Sequence, residues 1–122
     1  MIENIADYVN DNKALVRRGR YVNFSILVGI GDLDYIIEIQ EGRVTTVRLR
    51  QVKVESGLFA IRAPAKIWEE FWRPMPKRDH HDLFSMMAAG LAHIDGDLLP
   101  FMQNLQYFKD LLAALRPVNI GN

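Results

Sequence analysis

The chain of 122 residues contains no cysteine, and its formal charge is zero because 15 basic side chains balance 15 acidic ones. Without cysteine there is no disulfide framework, no thiolate metal site and no thiol nucleophile. A balanced charge provides no extended field for a polyanion, so we expect no nucleic-acid partner. The absence of disulfides also fits a reducing compartment, and we expect a cytoplasmic location.

Long apolar segments are missing as well. No run approaches the ~20 apolar residues that span a bilayer, and Met1–Asn4 shows no basic segment leading into an apolar core. We therefore expect neither a signal peptide nor stable membrane insertion. A basic cluster at Arg17, Arg18 and Arg20 offers a transient contact with anionic headgroups, although cations at the end of a helix also have a plain structural explanation.

Motifs for catalysis are equally scarce. No serine lies in a Gly-x-Ser-x-Gly elbow, and Gly29-Ile30-Gly31 precedes a strand pattern rather than the helix that a dinucleotide fingerprint requires. His80 and His81 are adjacent, so on a helix their imidazoles point about 100° apart and cannot share one ion; His93 is remote in sequence. We predict no metal site, no cofactor and no enzymatic activity.

The residues that are present predict one α+β domain over 1–122. Hydrophobic residues make up 49% of the chain and charged residues 25%, as in folded globular proteins. Periodicity predicts an antiparallel sheet of about five strands, joined by short turns and covered on one face by helices. The predicted elements are an N-terminal helix over 1–18, strands over 20–62, covering helices over 64–90, an edge strand over 91–95 and a C-terminal helix over 97–116.

Large apolar side chains are concentrated on the three predicted covering segments. In the last of these, Asp97 is a good N-cap, and apolar residues recur at helical spacing from Leu98 to Leu115. Methionine and aromatic side chains adapt to apolar ligands of variable shape, but they also fill ordinary cores. The pattern alone therefore leaves a plain core and a ligand pocket open.

A family resemblance enters through Gly90 to Met102, where a glycine, a short alternating strand and the pair Gly96-Asp97 lead into an apolar helix. This run resembles the C-terminal signature of sterol carrier protein type two domains. The resemblance implies an apolar tunnel between sheet and helices that binds and transfers fatty acids, acyl esters, sterols or phospholipids. By position, the ligand-binding residues would be Trp68, Phe71, Phe84, Met87, Phe101, Met102, Leu105 and Phe108.

Two other functions stay open at this point. A small α+β isomerase or dehydratase would use Asp95 or His93 inside the same pocket. A protein-interaction module would instead bury the Leu98–Leu115 stripe against a partner or a second copy, and a homo-oligomer is compatible with either reading. The direction of the Asp95 and His93 side chains, and the cover of the stripe, distinguish these alternatives.

Overall fold

The computed structural model describes residues 1–117, so positions 118–122 of the predicted domain lie outside it. Within the described residues, a 3-10 turn at Ile2–Asn4 precedes six α-helices and five strands. The helices are α1 (Ile5–Asn10), α2 (Lys13–Arg18), α3 (Ala65–Phe71), α4 (Leu83–Ala88), α5 (Leu98–Gln103) and α6 (Leu105–Ala113). The strands are β1 (Ser25–Ile30), β2 (Leu33–Gln40), β3 (Arg43–Leu49), β4 (Phe59–Ala63) and β5 (His93–Gly96).

The strands form one sheet in the order β3-β2-β1-β4-β5. Neighbours pair antiparallel at β3–β2, β2–β1 and β4–β5. The central pair β1–β4 is parallel, with Leu27 opposite Ala60 and Gly29 opposite Arg62. The predicted α+β class and the five strands are confirmed, and the sheet is mixed where the sequence pattern predicted antiparallel pairing throughout.

The parallel pair arises from the connection of residues 50–58. This segment leaves β3 at one edge of the sheet and crosses β2 and β1 before β4 begins, so β4 enters in the same direction as β1. Leu58 N–H donates to the Ser25 carbonyl at 2.8 Å, which fixes the end of the crossing against β1. Ser56 and Gly57 therefore belong to the last part of a crossover, where the sequence pattern predicted a short turn between antiparallel strands.

One continuous core lies between the sheet and the helices. The inward row of the strands includes Ile26, Val28, Ile37, Phe59 and Ile61, all at most 1% exposed. The helices contribute the side chains that close this row, among them Ile5, Val9, Trp68, Phe71, Leu83, Met86, Phe101, Phe108, Leu111 and Leu112. Alternation along the strands and helical spacing on the covering elements thus produce the same buried layer.

The N-terminal segment, predicted as one helix, is divided between α1 and α2. The break falls at Asp11-Asn12, where Asn12 is the N-cap of α2 and accepts the Leu15 N–H at 3.1 Å. Asn10 fixes α1 to the edge strand β3 through two hydrogen bonds of 2.9 Å with the Val44 backbone. Side chains that bond to the backbone compete with the helical ladder, which explains the break.

The C-terminal segment, predicted as one helix over 97–116, is also divided. Asp97 is the N-cap of α5, and Asn104 separates α5 from α6 with φ −121° and ψ 32°. The Asn104 side-chain amide donates to the Pro100 carbonyl at 3.0 Å, so the side chain shares an acceptor that the main-chain ladder uses. The consequence is a bend between a partly exposed α5 and a well-buried α6.

Tyr107 holds α6 against the rest of the molecule. Its ring occupies the place that a Cβ on Gly19 would take, and its hydroxyl donates to the Gly42 carbonyl at 2.7 Å. Burial raises the pKa of the Tyr107 hydroxyl far above its ordinary value, so this donor stays protonated. A residue other than glycine at position 19 would force α6 away from the β2–β3 hairpin.

Candidate functional site

Half of the predicted ligand-binding residues are fully enclosed. Trp68, Phe71, Phe101 and Phe108 are each at most 1% exposed and belong to the single core between sheet and helices. Met87 and Leu105 are partly buried and pack against the same core. The structure therefore brings six of these side chains to one layer, which is the place where the resemblance implies a tunnel.

The remaining two members of the set lie at the surface. Phe84 is 39% exposed and Met102 is 52% exposed. Phe84 has the Lys109 ammonium 5.9 Å from its ring centroid, and Met102 shares an exposed face of α5 with Leu98 and Leu99. Both side chains would need movement of their helices to reach a ligand in the interior.

Four aromatic rings form the centre of the layer. Phe59 packs edge-to-face on Phe101 and Phe108, with centroids 5.3 Å and 5.0 Å apart, and Phe24 lies 5.9 Å from Phe108. Phe59 of β4 and Phe24, which directly precedes β1, were not in the predicted set because that set came from the helices alone. The inward alternation of β1 is the signal that identifies Phe24.

These rings occupy the interior. Phe71, Phe101 and Phe108 are at most 1% exposed, and none of them lines any of five cavities found within residues 1–117. A chain-shaped ligand between sheet and helices must therefore displace side chains or shift a helix. In this structure the tunnel implied by the resemblance is closed.

One apolar cavity does reach the edge of the layer. We call it the α3 cleft: it has a volume of about 230 Å³ and lies between the first residues, the turn after β1 and the outer side of α3. Its lining consists of Met1, Ile2, Ile30, Tyr35, Ala65, Trp68, Glu69 and Trp72. Trp68 is the one member of the predicted set that lines it.

The two indoles of the cleft are held rigidly. Trp68 and Trp72 stack with their centroids 5.2 Å apart and their planes 24° from parallel. Trp68 Nε1 donates to the Gly29 carbonyl at 2.8 Å, and Trp72 Nε1 donates to the Leu112 carbonyl at 2.7 Å. Because both N–H groups are satisfied within the protein, the rings offer only apolar surface to the cleft.

A half-buried arginine closes the other end of α3. Arg116 donates through Nε and Nη2 to the Phe71 carbonyl, at 2.9 Å and 2.6 Å, and through Nη2 to the His81 carbonyl at 2.9 Å. Burial lowers the pKa of the Arg116 guanidinium, and the nearby Asp82 carboxylate partly opposes that effect. The cation thus serves to cap α3 and to fix the chain end that follows α6.

The two side chains that an isomerase or dehydratase would use lie on the face of the sheet that points away from the apolar layer. His93 and Asp95 are exposed and stand opposite Arg62 and Ala60 on β4, whereas Ile94 between them packs on the core. Neither side chain enters the apolar layer. Within residues 1–117 no group of three histidine, aspartate or glutamate side chains is arranged to hold a metal ion.

The basic cluster is exposed but not wholly unpaired. Arg18 forms an ion pair of 2.7 Å with Asp110, and the Arg20 guanidinium lies 4.7 Å from the ring centroid of Tyr21, which is 80% exposed. No helix within the described residues has the length and apolar character needed to cross a bilayer. Of the three predicted cations, Arg17 and Arg20 remain available to an anionic surface.

Comparison with known proteins shows the fold clearly at the level of structure. A crystal structure of sterol carrier protein 2 aligns with a TM-score of 0.74 and 15% identity, over 93% of this chain and 92% of that one. A conserved hypothetical protein of Thermus thermophilus aligns with a TM-score of 0.66 and 14% identity, over 98% and 89% of the two chains. The UbiJ-SCP2 ubiquinone synthesis protein aligns with a TM-score of 0.59 and 17% identity, over 93% and 87%.

The sequence comparisons give no match. No protein-family model matches the chain, and no curated protein is similar to it in sequence. At identities of this size the structural likeness establishes the fold, which is that of sterol carrier protein 2. The resemblance seen at Gly90–Met102 is thereby confirmed as a resemblance of fold.

Proposed function

We propose that the protein binds a hydrophobic ligand noncovalently and presents or transfers it. The observation that carries this proposal is the apolar layer between sheet and helices, to which six of eight predicted ligand-binding residues contribute, in a fold shared with sterol carrier protein 2. Fold alone does not define function, so the layer and its adaptable side chains are the stronger support. Because the fold neighbours include carriers by name, and His93 and Asp95 face away from the layer, we favour binding over catalysis.

The energetics of such binding are adequate. A sixteen-carbon chain buries about fourteen methylenes at ~0.8 kcal/mol each, or ~11 kcal/mol in total. Lost translational freedom and the ordering of the ligand offset several kcal/mol of this, which leaves affinities of roughly micromolar size. Opening a closed layer lowers the apparent affinity further, in proportion to the fraction of molecules that are open.

Helices α5 and α6 are the elements that we expect to move. The bend at Asn104 already separates them, and α5 exposes Leu98, Leu99 and Met102 while burying Phe101. A ligand would enter the form in which the helices are open. By replacing the contacts of Phe101 and Phe108, it would then stabilise the form in which the helices are closed over it. Fatty acids, acyl esters, sterols and phospholipids remain the ligand classes that we propose.

The test is displacement of a neutral apolar dye, Nile red, by a panel of these lipids, together with denaturing mass spectrometry of freshly purified protein. We expect saturable dye fluorescence that at least one lipid class reverses, and a co-purified lipid in the spectra. Absence of displacement by every class up to hundreds of micromolar would refute the proposal.

A charge placed in the layer should abolish this binding. Leu105→Glu puts a carboxylate where an apolar side chain packs against the core, and we expect the affinity for displacing lipid to fall by at least tenfold. The matched control is Gln106→Glu, which adds the same charge at the adjacent exposed position. Equal affinities in two folded variants, judged by their thermal unfolding, would remove Leu105 from the site.

Membrane contact through Arg17 and Arg20 is a separate part of the proposal, suited to a cytoplasmic carrier that collects ligand from a membrane. Cosedimentation with vesicles containing phosphatidylserine measures it, and Arg17→Gln with Arg20→Gln should weaken that association. Each cation near an anionic surface contributes about 1 kcal/mol, so the expected loss is roughly five- to thirtyfold. Unchanged cosedimentation would leave the two arginines as surface charges only.

A further inference from the structure

The α3 cleft combines an apolar floor with a polar rim, and the two parts together indicate a kind of ligand. The floor is formed by the stacked indoles of Trp68 and Trp72, whose N–H groups are already bonded to backbone carbonyls. The floor therefore requires no polar partner from a ligand and suits aliphatic carbon. Trp68 also packs on Phe71, with the ring centroids 5.6 Å apart, so its indole separates the cleft from the proposed lipid-binding layer.

The rim of the cleft has one hydrogen-bond donor with only a weak partner, the Tyr35 hydroxyl. The Tyr35 side chain lies mostly inside the protein, and its hydroxyl is 3.4 Å from Glu3 Oε2, close to the upper limit for a hydrogen bond. Burial raises the pKa of Tyr35, and the adjacent Glu3 carboxylate raises it further, so the hydroxyl keeps its proton at neutral pH. An oxygen atom of a ligand could accept a better hydrogen bond from this hydroxyl.

The rim also carries negative charge. Glu69 is exposed at the mouth of the cleft and forms no ion pair with any described residue. Glu3 has the Met1 amino group 2.6 Å from Oε1, while its Oε2 faces Tyr35. The Met1 ammonium, which also lines the cleft, offsets the charge of Glu3, so the rim keeps the net negative charge of Glu69. A carboxylate head would be repelled by that charge, whereas a hydroxyl can accept from Tyr35 and donate to Glu3 or Glu69.

We infer that the α3 cleft binds the hydroxyl end of an aliphatic alcohol, with its carbon chain lying against Ile30, Ala65 and the 6% of Trp72 that is exposed, and that it disfavours the corresponding fatty acid. This inference rests on the proposed function, since it assigns the polar end of the same apolar site. The cleft volume of about 230 Å³ is below the roughly 300–1,000 Å³ of sites that enclose a drug-sized ligand. It accommodates a head and the first part of a chain, and the rest must pass the Trp68 indole to continue into the layer.

The chain offers a specific reporter, because its only two tryptophans are Trp68 and Trp72. Bromine on an alkyl chain quenches tryptophan fluorescence only at contact, so quenching reports a probe at Trp72 in the cleft or at Trp68 in the adjoining layer, and Ala65→Phe distinguishes the two. The probes are ω-bromooctanol, ω-bromooctanoic acid and ω-bromooctylammonium, which share one chain and differ in the head. We expect saturable quenching by the alcohol, with an affinity roughly three- to tenfold higher than for the acid at neutral pH.

Two variants locate the effect. Ala65→Phe fills the cleft from an exposed position on its wall and should reduce quenching affinity at least tenfold, while the control Ala88→Phe adds the same ring to an exposed position of α4 and should not. Glu69→Gln removes one charge at the mouth and should reduce the preference for alcohol over acid by roughly threefold. Glu69 is exposed, so we expect Glu69→Gln to fold. It therefore tests the preference for the alcohol even if Ala65→Phe does not fold.

Nile red displacement, run in parallel, separates failure of the inference from failure of the proposed function. Lipids that displace the dye without quenching by any bromooctyl probe would overturn the cleft and leave lipid binding intact. Quenching in which the acid or the ammonium binds at least as tightly as the alcohol would overturn the assignment of the head group. If no lipid displaces the dye and no probe quenches, both ideas fall.

Discussion

The two faces of the five-stranded sheet carry different chemistry. The face beneath the helices is lined by apolar and aromatic side chains, with Phe59 and Phe108 in edge-to-face contact at 5.0 Å. The opposite face carries an ion-pair network in which the Asp34 carboxylate contacts Arg50 and Arg62, each at 2.6 Å. The stability of the inner face depends on close packing of its side chains, whereas that of the outer face depends on the charge and geometry of its ion pairs.

The outer face also has a small apolar part. Leu27, Ile36 and Ala60 form a second buried cluster, separate from the main core. They stand on the three central strands, and we infer that the crossing connection 50–58 covers them. Arg50, at the start of this connection, binds it to β2 through the Asp34 carboxylate at 2.6 Å and through its N–H, which donates to the Asp34 carbonyl at 2.8 Å. An apolar ligand therefore has an adaptable layer on one face only.

The largest expected effect comes from emptying the inner face. Phe108→Ala removes a ring that contacts four other aromatic rings, and we expect the free energy of unfolding to fall by about 3–5 kcal/mol. Urea denaturation followed by circular dichroism measures this loss. The control Met102→Ala truncates a side chain that is 52% exposed and should cost less than about 0.5 kcal/mol. Equal losses would mean that α5 is packed more tightly than this structure shows.

A smaller loss is expected on the outer face. Asp34→Asn keeps the shape of the side chain but removes the charge that both arginines contact, and we expect it to cost about 1–2 kcal/mol, because the pairs are only partly shielded from water. The loss should shrink at high salt, unlike that of Phe108→Ala. Asp32→Asn, at an exposed turn nearby, is the control. A loss independent of salt would assign Asp34 a packing role.

The smallest effect is a change in acid sensitivity. A hydrogen bond from Arg48 and then one from the Gln51 backbone lower the pKa of Glu55 to about 2, from an ordinary value of 4.5. A lowered folded-state pKa stabilises the protein above pH 4.5, and that contribution is lost as the pH falls towards 2. Glu55→Gln should therefore flatten the stability profile in this window. Arg48→Met should flatten it in the same way, and a full slope in either variant would contradict the pairing.

Much of the fold follows from local pattern. The alternation around Ile26 and Val28 identifies the inward side of β1, and Asp97 does cap the helix that the sequence predicted after Gly96. Periodicity is readable because it depends on the geometry of neighbouring residues along one element. The same local signal in Gly90–Met102 supported the resemblance, which the structural comparison confirmed as a shared fold.

The candidate site was only partly predictable. The family resemblance implied, by position, Phe84 and Met102 together with Phe101 and Phe108, yet the first two are exposed and the last two are enclosed. Spacing defines a face of a helix but not which part of that face another element covers. The α3 cleft illustrates the same limit, because Ile2, Tyr35 and Trp72 are far apart in sequence and meet only in the folded structure.

The element types, the apolar layer and the scarcity of groups for metal or thiol chemistry could be predicted from the amino-acid sequence. Each of these features depends on residue identity and on the spacing of near neighbours. Three features could be seen only in the folded structure: β4 runs parallel to β1, the layer is closed, and His93 and Asp95 face away from it. Those features depend on contacts between distant segments, in which a crossing connection and the volumes of facing side chains determine what remains exposed.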